Sequence, residues 1–276
     1  MPQIVHGKPV RISERVQRIT APNEGVMTGP GTNSYIIGTD ELALVDPGPY
    51  IESHIDAMLK ATASRLKWIL VTHTHRDHSP AALPIAQATG AKLVGNIIPN
   101  DGFQDETFQG AMPLKNDEVI SNKEYSIRAL LTPGHVSNHI CYLVEEDKIL
   151  ITGDHMMQGS TVVIVPPAGS MKDYIDSLKR MQTYDVNYVA PGHGDLIGEP
   201  NREIMRLIDH RLKREKKVQN ALTSARQATI DELVPVVYDD VDQSLHKWAA
   251  LSLHAHLIKL EIEQSVTKNG DSWTIN

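Results

Sequence analysis

Thr72-His73-Thr74-His75-Arg76-Asp77-His78 follows directly on the apolar run Trp68-Ile69-Leu70-Val71. Three imidazoles and a carboxylate crowd into six positions at the exit of what reads as a buried strand. These are the usual donors for zinc or a similar divalent cation, and the absence of thiolate favours a catalytic over a structural centre. In extended backbone, side chains two apart leave on the same side, so His73 and His75 can converge on one cation. Asp77 and His78 lie past the turn, where a chain bending into Ser79-Pro80 aims them at a second. A lone surface histidine is ordinarily just a polar residue. So many polar groups packed together are awkward to satisfy without a metal.

The rest of the chain supplies more donors at the ends of further apolar runs. Leu130-Leu131-Thr132-Pro133-Gly134-His135, Ile149-Leu150-Ile151-Thr152-Gly153-Asp154 and Tyr188-Val189-Ala190-Pro191-Gly192-His193-Gly194 repeat one design of strand, glycine turn and ligand. Glycine allows the sharp turn or close approach that a Cβ would block.

The series His73-x-His75-x-Asp77-His78, His135, Asp154, His193 resembles the full ligand set of the metallo-β-lactamase-fold hydrolases. The resemblance covers the 1–200 portion and is far more specific for fold and metal chemistry than for substrate. It implies an α/β fold, an αββα sandwich of two mixed sheets with helices outside. It also implies that His73, His75 and His135 bind one zinc, that Asp77, His78 and His193 bind another, and that Asp154 bridges them. Other divalent metals are compatible with the same donors. Catalysis would then rest on a hydroxide held between two Zn²⁺ ions, with Asp77 and Asp154 as catalytic side chains. His139 is either a substrate contact and proton donor or a strand-entry residue. Asp46, before Pro47-Gly48, resembles the aspartate that the superfamily keeps beneath its histidines; the other reading is a turn-forming Asp before Pro. Val136 departs from the usual Thr-Pro-Gly-His-Thr pattern and removes a hydroxyl from the turn.

Bulk properties agree with an ordinary globular enzyme. The chain is 41% hydrophobic and 22% charged, which excludes a disordered polyelectrolyte, and no apolar run is long enough to cross a bilayer. Residues 1–200 carry 16 basic against 23 acidic side chains and so hold the whole net charge of −7. That balance argues against tight nonspecific DNA binding by this portion, while two divalent cations would offset part of it. The start Met1-Pro2-Gln3-Ile4-Val5-His6-Gly7-Lys8 lacks the pattern of a secretory signal or transit peptide. Cys141 is the single cysteine, read as a buried strand residue and consistent with a cytoplasmic location.

Strands are expected at 16–20, 33–38, 42–45, 92–95, 125–131, 140–145 and 148–152, and helices at 51–63, 80–89 and 171–183, with Ser79 as N-cap and Pro80 at N1. The Gly- and Pro-rich 21–31 segment reads as a loop bordering the cleft. Residues 96–118 read as irregular and able to wall the pocket; Phe103 and Phe108 there are either an apolar or base-stacking surface or ordinary loop packing.

The 201–276 portion changes character. A helix over 201–226 has an apolar line at Ile204, Leu207 or Ile208, Leu212, Val218, Leu222 and Ala225, with Arg206, Arg211, Lys213, Arg214, Lys216 and Lys217 on its other face. Such a charge run is usually a solvated face. A short helix capped by Thr229, a longer one over 243–263, and a hairpin around Asn269-Gly270 complete a winged-helix order. This tail resembles that of the β-lactamase-like protein 2 branch, notably in Leu253-x-x-His256-Leu257-x-x-Leu260. Relatives in that branch act as single-strand-preferring endoribonucleases. The expected domains are therefore a catalytic 1–200 and a winged-helix-like 201–276.

The leading expectation is a metal-dependent phosphodiesterase acting on single-stranded RNA. A thioester or ester hydrolase of the glyoxalase II kind is the alternative, and a non-catalytic nucleic-acid-binding protein is the third reading. Expected partners are single-stranded RNA or a small ester or thioester, no membrane, and a second copy of the chain in a homodimer.

Overall fold

The computed structural model describes residues 4–276; the reading of the N-terminus as lacking a signal rests partly on residues 1–3, which lie outside the described residues. Six strands form the first sheet in sequential order: β1 (Val10–Arg11), β2 (Val16–Thr20), β3 (Asn33–Ile37), β4 (Leu42–Val45), β5 (Leu66–Leu70) and β6 (Lys92–Val94). Helix α1 (Glu52–Thr62) links β4 to β5, and α2 (Ala82–Thr89) links β5 to β6. These are the connections that parallel pairing requires, and β4, β5 and β6 are parallel. The second sheet runs β11-β10-β9-β8-β7, built from β7 (Val119–Ser121), β8 (Ser126–Leu131), β9 (Ile140–Val144), β10 (Ile149–Gly153) and β11 (Tyr188–Pro191).

Alternation along the strands explains the layering. Tyr35, Ile37, Ala43, Val45 and Leu70 join Ile127, Ala129, Tyr142 and Ile151 of the second sheet in one core. Their neighbours Ile36, Leu42, Leu44 and Ile69 face the other way, onto Ile55 and Met58 of α1 and Ile85 of α2. The period of two thus places one face of the first sheet on the second sheet and the other face on helices.

Direction then decides where the ligands go. β9 is antiparallel to both β8 and β10, and β11 is parallel to β10, so the carboxyl ends of β8, β10 and β11 share one edge of their sheet. His135, Asp154 and His193 follow those three ends, as the 72–78 loop follows β5.

One expected helix start differs. Ser79 is not an N-cap: its Oγ donates to Asp105 Oδ2 at 2.7 Å, and α2 begins only at Ala82, after Ala81. The hydroxyl that would cap the helix ties down the 95–118 segment instead.

Compactness divides the chain into residues 4–132, 138–160 and 185–200 on one hand, and 133–137, 161–184 and 201–276 on the other. Position 200 is thus a border, but α3 (Met171–Met181) lies with the C-terminal unit, against α6 (His246–Ile262). In that unit α4 (Pro200–Ala225), β12 (Gln227–Thr229), α5 (Ile230–Val237), α6, β13 (Val266–Asn269) and β14 (Ser272–Ile275) make a winged helix with a three-stranded sheet in the order β12-β14-β13. Thr229 caps α5 in a reciprocal capping box with Glu232. Leu253, His256, Leu257 and Leu260 are all buried, with Trp273 of the wing in the same core as the three leucines.

The expected faces of α4 need correcting. Leu212 is 45% exposed, while Arg211 and Arg214 are 3% and 5% exposed. The buried stripe is Ile204, Leu207, Arg211, Arg214, Val218 and Leu222, a 3–4 spacing that includes two guanidinium groups. Arg211 lies over the Tyr174 ring and Arg214 over the Tyr238 ring, so planar cations occupy inward positions by stacking.

Candidate metal centre

The structure gathers all seven predicted ligands into two groups. His73, His75 and His135 each offer a ligand atom, and these atoms lie within 4.8 Å of one another; Asp77, His78, Asp154 and His193 do the same. The groups adjoin, since the His73 and His78 rings are 4.2 Å apart at their centroids. Asp154 falls in the second group, its Oδ1 3.3 Å from both His78 Nε2 and His193 Nε2. The fully buried His78 Nε2 meets no acceptor at hydrogen-bond geometry, although Asp77 Oδ2 stands 3.6 Å away. An imidazole nitrogen ringed by carboxylate oxygens but bonded to none fits a cation shared among them.

The outer nitrogens are held by other groups. His78 Nδ1 lies 2.9 Å from Asp46 Oδ2, His135 Nδ1 2.8 Å from Val163 O, His193 Nδ1 3.2 Å from Gly31 O, and His73 Nδ1 3.0 Å from Thr72 Oγ1. Anchoring Nδ1 fixes the ring and leaves Nε2 as the coordinating nitrogen. Asp46 is the hub: besides His78, its two oxygens accept from Thr72 N and Thr72 Oγ1, each at 2.7 Å. Its backbone sits at φ +49°, a left-handed conformation rare for a non-glycine residue. The support reading of Asp46 therefore holds over the plain turn. Asp46→Asn is expected to weaken metal affinity by about 10- to 100-fold, read by competition against a chromophoric chelator.

Charge within the second group is set by mutual fields. Burial disfavours protonation of His78, yet the carboxylates of Asp77, Asp154 and Asp46 raise its pKa well above the ordinary imidazole value. Burial pushes Asp77 up, but His78 and then His193 bring its pKa below the usual carboxylate value. Protons and cations compete for this pocket, so metal uptake is expected to release protons and weaken as pH falls, measurable by calorimetry in buffers of different ionisation enthalpy.

Two segments frame the cluster. The turn before β3 contributes Gly31 O to His193, while Asn33 Nδ2 donates to Pro191 O at 3.0 Å and Gly194 O at 2.8 Å, clamping the His193 loop. Nothing in the local sequence singles out Asn33. The 95–118 segment pairs Gln104 with His75. Phe108 is buried there and Phe103 is 42% exposed, so the two phenylalanines part company. His139 is 1% exposed and stacks on His73 at 5.1 Å. It lies behind a ligand, with Nδ1 2.9 Å from Thr132 Oγ1, and a substrate contact is ruled out by that burial.

Five of the basic residues of α4 have partners within the chain. Arg206 pairs with Glu203, Lys213 with Asp209, Arg214 with Asp240 and Lys217 with Asp239, at 2.5–2.7 Å, while Arg211 donates to Val162 O.

The family model described as Metallo-beta-lactamase superfamily matches residues 27–193, which run from β3 through β11 and include every predicted ligand. The chain belongs to the metallo-beta-lactamase superfamily. The model for the beta-lactamase associated winged helix domain matches residues 229–273. Superfamily relatives include the Beta-lactamase-like protein 2 homolog of Caenorhabditis elegans, 27% identical over 98% of this chain and 92% of that protein. An Atrochrysone carboxyl ACP thioesterase of Aspergillus chevalieri is 30% identical over 87% of this chain and 78% of its own length. A metallo-beta-lactamase family protein from Thermus thermophilus shares the fold at a TM-score of 0.80, with 21% identity over 96% of this chain and all of that one. The protein is thus a superfamily hydrolase with a candidate metal centre. No helix among the described residues is long and apolar enough to cross a membrane.

Proposed function

We propose that this chain hydrolyses thioester-linked acyl groups at a centre loaded with two zinc ions. The chemistry rests on one observation: two adjoining ligand groups, histidine-rich and without thiolate, with His73, His78, His135 and His193 held at their outer nitrogens. When bound, the two cations supply Lewis acidity that ionises water near neutral pH and stabilises negative charge on a carbonyl oxygen. Asp77, its side chain 30% exposed, faces the open side of the second group and orients the attacking water while accepting its proton. Asp154, whose Oδ1 faces both His78 Nε2 and His193 Nε2, would help hold a cation in the second group. Asp46 and Thr72 keep His78 and His73 in register for this work.

The thioester class is favoured by the likeness to the ACP thioesterase and by α4, where five cations already have acidic or carbonyl partners. Single-stranded RNA is the second reading, favoured by the winged-helix match and the likeness to the Beta-lactamase-like protein 2 homolog. RNA affinity needs cations available to phosphates, and the pairing along α4 leaves few.

Rates on single-stranded RNA and on S-lactoylglutathione, measured side by side with zinc-loaded protein and its Asp154→Ala variant, separate the two. Thioester turnover that disappears in the variant, with RNA left intact, is the expected result. RNA cleavage lost in the variant, without thioester turnover, overturns it.

A further inference from the structure

Phe103 is a large aromatic residue left half in solvent beside a metal ligand: its ring centroid is 6.3 Å from that of His75. The segment around it is pinned to the ligand loop. Asp105 N donates to Thr74 O at 2.6 Å, Thr74 Oγ1 donates to Gln104 Oε1 at 2.6 Å, and Ser79 Oγ donates to Asp105 Oδ2. On the near side, Asp101 Oδ1 accepts from Phe103 N and Gln104 Nε2, each at 3.0 Å. Thr74, Ser79, Gln104 and Asp105 are all buried. The backbone on both sides of Phe103 is therefore fixed by polar contacts that leave its ring outside.

With 42% of the residue exposed, that arrangement forgoes part of the roughly 1.5–3 kcal/mol that full burial of such a side chain supplies. The chain had a simple way to recover it, since Phe108, five positions on, is fully buried in the core behind the same segment. An irregular segment of this length, 95–118, is itself uncommon unless it binds something. The ring stands beside a metal ligand and not within either ligand group, so the part of a substrate it can meet lies beyond the atoms next to the scissile bond.

We infer that Phe103 is a specificity-determining residue whose ring packs against the apolar acyl chain of the substrate, giving preference for longer acyl groups. This rests on the acyl-hydrolase reading above. A nucleobase would also stack on an exposed ring, and the experiment is built to expose that outcome.

The full, metal-loaded chain is titrated calorimetrically with non-hydrolysable decanoyl and acetyl thioether analogues of N-acetylcysteamine and with a single-stranded oligouridylate, and turnover of the two matching thioesters is followed. Phe103→Ala should weaken the decanoyl analogue about tenfold and lower decanoyl kcat/KM by a similar factor, while acetyl kcat/KM changes less than about twofold. Phe103→Leu should restore most of the loss, and bound metal should be unchanged. Equal losses for both acyl lengths, a drop in bound metal, or no loss for decanoyl would overturn the inference. So would oligouridylate binding that depends on Phe103 without any acyl-length effect. Length-dependent analogue binding lost in Phe103→Ala, with neither thioester turned over by the unmodified chain, would leave the apolar contact standing and refute the assigned reaction.

Discussion

Asp154→Ala is expected to lower hydrolytic turnover by about three orders of magnitude or more, equivalent to about 4 kcal/mol of transition-state stabilisation. The Oδ1 atom stands 3.3 Å from the Nε2 atoms of His78 and His193, so one oxygen faces both imidazoles of the second group. Removing it leaves Asp77 as the only carboxylate of that group and takes away the side chain expected to bridge the cations. The fold should survive: the side chain is 13% exposed, and without a cation its charge opposes that of Asp77. Circular dichroism and a thermal midpoint close to that of the unmodified protein would establish survival. Activity within tenfold of the unmodified protein would remove Asp154 from the catalytic machinery.

Gly192→Ala should be nearly as damaging, although it adds one methyl group. A Cβ at this position would come within 2.8 Å of His78 Cε1, 2.9 Å of Asp154 Oδ1 and 3.0 Å of the Gly153 carbonyl carbon. All three are inside ordinary contact distance, and two belong to ligands that packing holds in place. The backbone cannot retreat freely either, because Gly192 N donates to Gly153 O at 2.8 Å and Asn33 N donates to Gly192 O at 2.7 Å. The methyl must therefore displace His78 or Asp154. Turnover should fall by about two orders of magnitude or more, with bound metal falling in parallel. Full metal occupancy with unchanged kcat would show that the cradle tolerates the methyl and that its geometry is looser than described.

The ligands were legible in the sequence because chemistry forces their types and turns force their spacing. Apolar strands ending in glycine and then His135, Asp154 or His193 announce a site even before pairing is known. Asp46 was legible only as one of two readings; its position beneath His78 emerges from the parallel alignment of β4 with β5. Asn33 and Thr72 had no signal, since a hydrogen bond to a carbonyl or a carboxylate far along the chain leaves no local pattern. Ser79 misled for the opposite reason: a capping residue before Pro80 is a sound local signal, and the tertiary bond to Asp105 overrode it. Along α4, counting only apolar residues as inward put Leu212 in place of Arg211 and Arg214. Tyrosine rings that accept guanidinium groups make that rule fail, and they also withdraw cations from the face on which an RNA reading depended.

The central claim is that seven side chains hold a pair of divalent cations, and metal stoichiometry tests it most directly. Protein stripped with chelator, reconstituted with zinc and freed of excess ion by gel filtration should carry two zinc ions per chain by elemental mass spectrometry. Asp154→Ala should carry fewer. A reconstituted chain with no tightly held ion, or with the same content in the variant as in the unmodified protein, would contradict the account.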